Sequence, residues 1–150
     1  MANFDKAFLK VIKNEGGYVR DPDDKGGETY LGIARRFHKN SLMWKYVDEA
    51  KKENPTATYT KLTTILKKDK RIDDIVKEIY KEKYWNKLKC DNIKSQKLAE
   101  QLFDMGVNAG TSTAIKLMQK LIGTFESGYI SDEFITNLNN YARRTSYKKI

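Results

Sequence analysis

Apolar residues recur at helical spacing along most of the chain. Over residues 4–14, Phe4, Phe8, Leu9, Val11 and Ile12 share one face, with Asn3 placed as a cap, the helix ending at Glu15 and Gly16-Gly17 acting as its stop. The stretch from Tyr18 to Ile33 breaks the pattern: Asp-Pro, Asp-Asp and Gly-Gly are turn formers between short β-prone pieces, which predicts a loop or small hairpin. Short helices follow at 34–39 and at 42–53, the latter ending near Asn54-Pro55, and another at 59–68 with Tyr59, Leu62, Ile65 and Leu66 as its stripe. A stronger helix spans 71–88, with Ile72, Ile75, Val76, Ile79, Tyr80 and Tyr84 inward. Ser95 caps a helix holding Leu98, Ala99, Leu102 and Phe103, and a break comes at Asn108-Ala-Gly110. Thr111 or Ser112 caps the next, which turns Ala114, Ile115, Met118, Leu121 and Ile122 inward and stops at Gly123; a last helix starts at Ser131 with Phe134, Ile135, Leu138 and Ala142. The expected fold class is mainly α, a helical bundle with one small N-terminal β-hairpin or loop.

Composition narrows the chemistry. At 150 residues, 39% hydrophobic and 33% charged, the chain is long enough to bury a core without staples. One Cys (Cys90) and one His (His38) exclude an internal disulfide and a zinc site of the usual Cys/His kind. No apolar run is long enough to span a bilayer, and lysines thread the N-terminal apolar positions in place of a signal peptide, so the protein is expected to be made in the cytoplasm and to depend on something else for export. The net charge of +9 favours an anionic partner, or else reports solvated helix faces. No nucleic-acid-binding signature accompanies it, so no nucleic-acid partner is expected.

Acidic residues and glycines concentrate together in one place. Glu15-Gly-Gly-Tyr18, then Asp21-Pro-Asp-Asp24 and Gly26-Gly27-Glu28-Thr29, read either as plain turn chemistry or as a site. A carboxyl at the C-terminal end of a helix faces the negative end of the macrodipole, which favours the protonated form and suits Glu15 to act as a general acid. Asp24, nine residues on in a turn-rich loop with amide donors, is suited to stay ionised. Two carboxyls in unlike surroundings are what glycosidic-bond cleavage requires, with neither metal nor cofactor. Thr29 is placed to hold a water or bond Asp24, and Tyr18, Tyr30, Trp44 and Trp85 offer rings either to sugars or to the core. The Asp-rich run lacks the ligand alternation of a calcium loop.

The run from Glu15 to Thr29, continued by Gly32-Ile33, resembles the N-terminal signature of family 108 glycoside hydrolases, lysozyme-like muramidases that include phage endolysins and secretion-associated lysozymes. Tyr84-Trp85, Cys90-Asp91 and Leu102-Phe-Asp-Met-Gly-Val-Asn-Ala-Gly110, leading to Met118-Gln119, look like the family's middle and the start of its peptidoglycan-binding-like C-terminal region. The resemblance covers about Phe4 to Gly123 and implies an α+β lysozyme-like fold whose hairpin flanks an active-site cleft. It implies a catalytic region at 1–91 and a helical peptidoglycan-binding-like region at 92–150, packed as one body. It also implies cleavage between N-acetylmuramic acid and N-acetylglucosamine, with Glu15, Asp24 and Thr29 catalytic; Tyr18, Asp21, Tyr30, Trp85 and Asn108 are the residues expected to bind substrate. The Asp24-to-Thr29 interval is one residue shorter than in phage lysozymes, which keeps Asp21 as a rival second carboxylate. Bacterial peptidoglycan would be the partner of a monomer acting on the wall or periplasm as an endolysin, delivered by a holin, a virion or a secretion system. The alternatives are a lytic transglycosylase and a noncatalytic wall-binding or secretion-accessory protein.

Overall fold

Side-chain oxygens that occupy free amide groups start most of the helices. In the computed structural model, which describes residues 1–23 and 27–148 with side chains as far as 145, Asn3 Oδ1 accepts from the Lys6 amide at the head of α1 (Phe4–Ile12). Ser41 does the same for α2 (Leu42–Glu53), Thr58 for α3 (Tyr59–Lys67) and Ser95 for α5 (Gln96–Ala109). Ser131 Oγ accepts from the Phe134 amide at the start of α7 (Asp132–Lys148). Between α3 and α5 runs α4 (Lys70–Tyr80), which widens into a π turn over Lys81–Trp85; α6 (Thr111–Ile122) lies between Gly110 and Gly123, both at positive φ.

The small β element is an antiparallel sheet of β1 (Val19–Arg20), β2 (Glu28–Tyr30) and β3 (Ile33–Ala34), in that order. Val19 stands opposite Thr29 and Arg20 opposite Glu28; Tyr30 pairs with Ile33 across the two-residue loop Leu31-Gly32. Both loop residues have positive φ, 49° and 78°, the pairing that a type I′ hairpin loop takes, and Gly32 adopts it without a Cβ penalty.

The mainly α class with one small sheet is as the sequence predicts, while several details differ. The first helix ends at Ile12, and Glu15 sits in the turn beyond it. Residues 34–39 form no helix beyond a single 3₁₀ turn, Arg35–Phe37, because the preceding pair joins the sheet as β3. Leu9 and Leu121, both expected inward, are exposed: α1 buries Ala7, Phe8 and Val11, and α6 buries Ala114, Ile115 and Met118, stripes too narrow to include them. Gly110, in place of Thr111 or Ser112, occupies the cap of α6.

Two compact units divide the chain elsewhere than at residue 91. One is Ile12–Ile79; the other joins Met1–Val11 to the chain from Tyr80 onward. The second unit is discontinuous in sequence because its N-terminal strap is bonded to α5, Asn3 N–H donating to Gln96 Oε1 at 2.6 Å and Gln96 Nε2 returning to the Asn3 carbonyl at 3.0 Å. An aromatic cluster seals the same join: Phe4 meets Trp85 at 5.4 Å and Phe103 at 5.8 Å, and Trp85 meets Phe103 edge-on at 5.5 Å. The unit 12–79 has its own core, in which Tyr30, Met43, Trp44, Val47, Leu66 and Ile72 are essentially inaccessible.

Candidate active site

Within the unit 12–79 the chain leaves α1 through a turn, Glu15 N–H donating to the Ile12 carbonyl at 3.2 Å, which leaves the Glu15 side chain half-buried one turn beyond the negative end of the helix. Gly16 has open space around it. Gly17 does not: a Cβ there would collide with Oγ1 and Cγ2 of Thr63 on α3. Tyr18 then donates its amide to Thr63 Oγ1 at 2.9 Å, and Thr63 Oγ1 donates to the Tyr59 carbonyl at 2.8 Å.

The other end of Tyr18 meets a set of charges that the sequence did not disclose. Its hydroxyl donates to Glu28 Oε2 at 2.7 Å, Lys51 Nζ donates to the same oxygen at 2.8 Å, and Arg35 Nη1 donates to Glu28 Oε1 at 3.1 Å. Arg35 also forks onto Asp48, at 2.7 and 2.6 Å, a bidentate pair, and lies over the Trp44 ring. Burial alone would push the Glu28 carboxyl up, but the bonds from Lys51 and Tyr18 and the charges of Lys51 and Arg35 outweigh it and hold the group below the usual carboxylate range. Asp48 is likewise lowered, chiefly by the Arg35 fork. The Tyr18 phenol is raised by burial and by bonding the Glu28 carboxylate. A carboxylate held ionised is a poor proton donor, so Glu28 is unsuited to general acid work.

Of the residues the sequence singled out, the structure gathers Glu15, Tyr18, Asp21, Thr29 and Tyr30 in the unit 12–79. Thr29 is half-buried on β2 opposite Val19. Asp21 is exposed, its amide bonded to the Gly27 carbonyl at 3.0 Å and its Oδ1 accepting from the Asp23 amide at 2.9 Å, an Asx turn that opens the loop. Asp24 lies outside the described residues. Trp85 and Asn108 belong to the other unit, Asn108 exposed in the last turn of α5.

The aromatic sugar platforms are a correction. Tyr30 and Trp85 are 0% exposed, Trp44 1% and Tyr18 3%, and a ring with no accessible face cannot stack on a glycan. Trp85 is a core residue whose indole N–H donates to Asp91 at 2.8 Å, and Tyr18 is an anchor for the segment that bears Glu15. The residues the sequence reading missed are Glu28, Arg35, Asp48, Lys51 and Thr63; the one local hint was Glu28 itself, an acidic residue at a strand position beside Thr29. No cluster of three or more His, Cys, Asp or Glu suited to a metal occurs among the described residues, and none of their helices is long and apolar enough to cross a membrane.

Known proteins resemble this chain at two levels. The solved structure described as "Structure of Brucella abortus SagA" superposes with a TM-score of 0.58 at 26% identity, over 91% of this chain and 68% of that one, in keeping with a lysozyme-like mainly α fold. No curated protein sequence matches. Residues 8–110 match Glycosyl hydrolase 108, a span that includes Glu15, the whole acidic loop, Thr29 and the Glu28 network. With more than half of its length so matched, the chain belongs to the glycosyl hydrolase 108 family and is a glycoside hydrolase.

Proposed function

We propose that the protein is a peptidoglycan hydrolase that cleaves the bond between N-acetylmuramic acid and N-acetylglucosamine, with Glu15 as the general acid. The observation that carries this reading is the contrast between two carboxyls of one unit: Glu28 is held ionised by Lys51, Arg35 and Tyr18, whereas Glu15 stands half-buried beyond the C-terminal end of α1 on a backbone anchored at Tyr18. General acid work needs a carboxyl that can carry the proton to the bridging oxygen, and Glu15 is assigned that role. Protonation of the bridging oxygen lets the leaving sugar depart as an alcohol while positive charge builds on the anomeric carbon. Asp24 is assigned as the anion that faces that charge or activates water, with Asp21 as its rival, and Thr29 as the group that orients the water. Lactyl and peptide carboxylates make the wall polymer an anion, and a net charge of +9 concentrates the enzyme on it.

The test is digestion of purified peptidoglycan by wild type and Glu15→Gln, with mass analysis of the products. The substitution keeps the shape and removes the proton, so release of muropeptides is expected to fall by about 10²–10⁴-fold, the usual worth of a positioned acid. Reducing muramic ends from the wild type identify a hydrolase. Anhydro ends identify a lytic transglycosylase, and co-sedimentation with peptidoglycan without release of sugar identifies a wall-binding protein. A Glu15→Gln variant with wild-type turnover refutes the assignment.

A further inference from the structure

A carboxyl borne on a glycine-rich connection is only as well placed as the connection is anchored. Between the end of α1 at Ile12 and the start of β1 at Val19, Glu15 is followed directly by Gly16 and Gly17, two residues that restrict the backbone least. The anchorage comes from outside the segment, from the next residue and from α3. Thr63 Oγ1 accepts the Tyr18 amide at 2.9 Å and donates to the Tyr59 carbonyl at 2.8 Å, so one hydroxyl ties the segment to the helix backbone. Gly17 presses against the same side chain so closely that no Cβ fits; its φ is not in the left-handed region, and the glycine is required by the approach of Thr63 alone. The Tyr18 ring packs edge-on to Tyr59 at 5.4 Å, and its hydroxyl reaches Glu28, the residue preceding Thr29.

We infer that Thr63 is a positioning residue for the Glu15 carboxyl: it clamps the backbone at Gly17-Tyr18, and the Tyr18–Glu28 bond carries the clamp to Thr29, fixing the proposed acid relative to its neighbour on β2. The inference rests on the reading of Glu15 as the general acid. Only a side chain that accepts and donates at one atom can bridge the Tyr18 amide and the Tyr59 carbonyl, which Thr and Ser do and Val, of the same shape as Thr, does not. Thr64 supplies an internal control. It makes the same back-bond to its own helix, to the Thr60 carbonyl at 3.1 Å, yet is exposed on α3.

The experiment measures kcat and KM on soluble glycan strands freed from peptidoglycan, for wild type, Glu15→Gln, Thr63→Val, Thr63→Ser and Thr64→Val, with folding checked by circular dichroism. Misplacing a catalytic group by the order of 1 Å costs about 100-fold, so Thr63→Val is expected to lower kcat by about 10- to 100-fold with KM within about twofold. Thr63→Ser, which keeps the bridging hydroxyl, restores most of the turnover, and Thr64→Val leaves kcat and KM at wild type. A residue with only a structural role would alter the thermal midpoint and leave the kcat of the folded fraction unchanged. A folded Thr63→Val with wild-type kcat, or a Thr63→Ser as slow as Thr63→Val, overturns the inference. Should Thr63→Val not fold, Thr63→Ser against Tyr18→Phe decides: near wild-type kcat for the first and about a tenfold fall for the second are expected if the Tyr18 anchor sets the acid's position, and equal kcat overturns it. Retained turnover in Glu15→Gln removes the underlying reading whatever Thr63 does, whereas an inactive Glu15→Gln beside a fully active Thr63→Val removes the clamp alone.

Discussion

Replacing Glu28 by Gln changes one atom and leaves the shape of the side chain intact, but it reverses the meaning of half of its surroundings. Three donors converge on the carboxylate, from Tyr18, Lys51 and Arg35. The amide oxygen of Gln can still accept from one or two of them, while its NH₂ faces whichever donor remains, and a donor facing a donor is an unmade bond. Hydrogen bonds to charged groups contribute about 1.5–3 kcal/mol each, and removing one partner of a buried pair costs about 3–5 kcal/mol. Exposure lowers that ceiling. The Glu28 side chain is 13% exposed, but those of Lys51 and Arg35 are 32% and 31% exposed, so both cations recover hydration when the carboxylate is lost. Arg35 also keeps its fork on Asp48. Placed between the buried limit and the roughly 0–1 kcal/mol of a surface pair, Glu28→Gln is expected to cost about 2 kcal/mol at pH 7.

The pH dependence makes the estimate sharper. Because the folded protein holds the Glu28 carboxyl below its ordinary value of 4.5, its contribution is fully present above that value and is lost as pH falls through the lowered one. Gln does not titrate. The difference in unfolding free energy between wild type and Glu28→Gln should therefore be full at pH 7 and shrink toward pH 3, below the carboxyl's ordinary value of 4.5, where the unfolded chain has taken up the proton. Urea unfolding of both proteins at the two pH values and one ionic strength measures it, with the carboxylates common to both proteins largely cancelling in the difference. An equal gap at pH 3 and pH 7, or no gap at pH 7, refutes the assignment of Glu28 as the charged hub of the unit.

Two further outcomes follow from burial in the other unit. Trp85→Phe keeps an aromatic ring among Phe4 and Phe103 but loses core volume and the bond to the half-buried Asp91, so the thermal midpoint should drop while KM for glycan stays unchanged; a raised KM at unchanged stability would restore the sugar-platform role. Cys90 is fully buried, and burial together with the Asp91 charge pushes its thiol up, so native protein at pH 8 should resist a disulfide reagent that modifies it at once in guanidinium. Rapid modification of the folded protein would show that the second unit opens where its core is closed.

Much of the helical fold was legible because its signals are local. Asn3 and Ser95 are caps that act within three residues, and Gly123 stops α6 in the left-handed conformation that glycine favours. Where a tertiary partner decided the outcome, local reading failed. Residues 33 and 34 join a strand because Tyr30 and Thr29 stand across from them, and Arg35 next to them turns toward Glu28 and Asp48, so the stretch read as a short helix is spent on the sheet and one 3₁₀ turn. Leu9 and Leu121 fit the helical period and are nonetheless exposed, since periodicity places residues on a face and only packing decides how wide a face is covered.

The site divides along the same line. Glu15, Asp21, Asp24 and Thr29 could be singled out because they are crowded into fifteen residues with glycines, whereas the residues that tell one carboxyl from another are distant in sequence. Arg35 is 7 residues from Glu28, Lys51 is 23, and Thr63 is 45 from Tyr18. Lysine and threonine are among the commonest residues of this chain, and nothing in the local context of Arg35, Lys51 or Thr63 marks these particular ones. In the sequence Glu15 stands out by its place at a helix end, whereas nothing marks the charge state of Glu28, which flanks the second glycine pair of the same stretch. The fold supplies an electrostatic distinction at Glu28: two cations and a phenol gathered from α2, the 3₁₀ turn and the segment before β1 hold it ionised, which leaves Glu15 as the proposed acid. Reversing that assignment would require Glu28→Gln to abolish turnover in a folded protein while Glu15→Gln preserved it, since proton donation follows the group that the surroundings leave protonated.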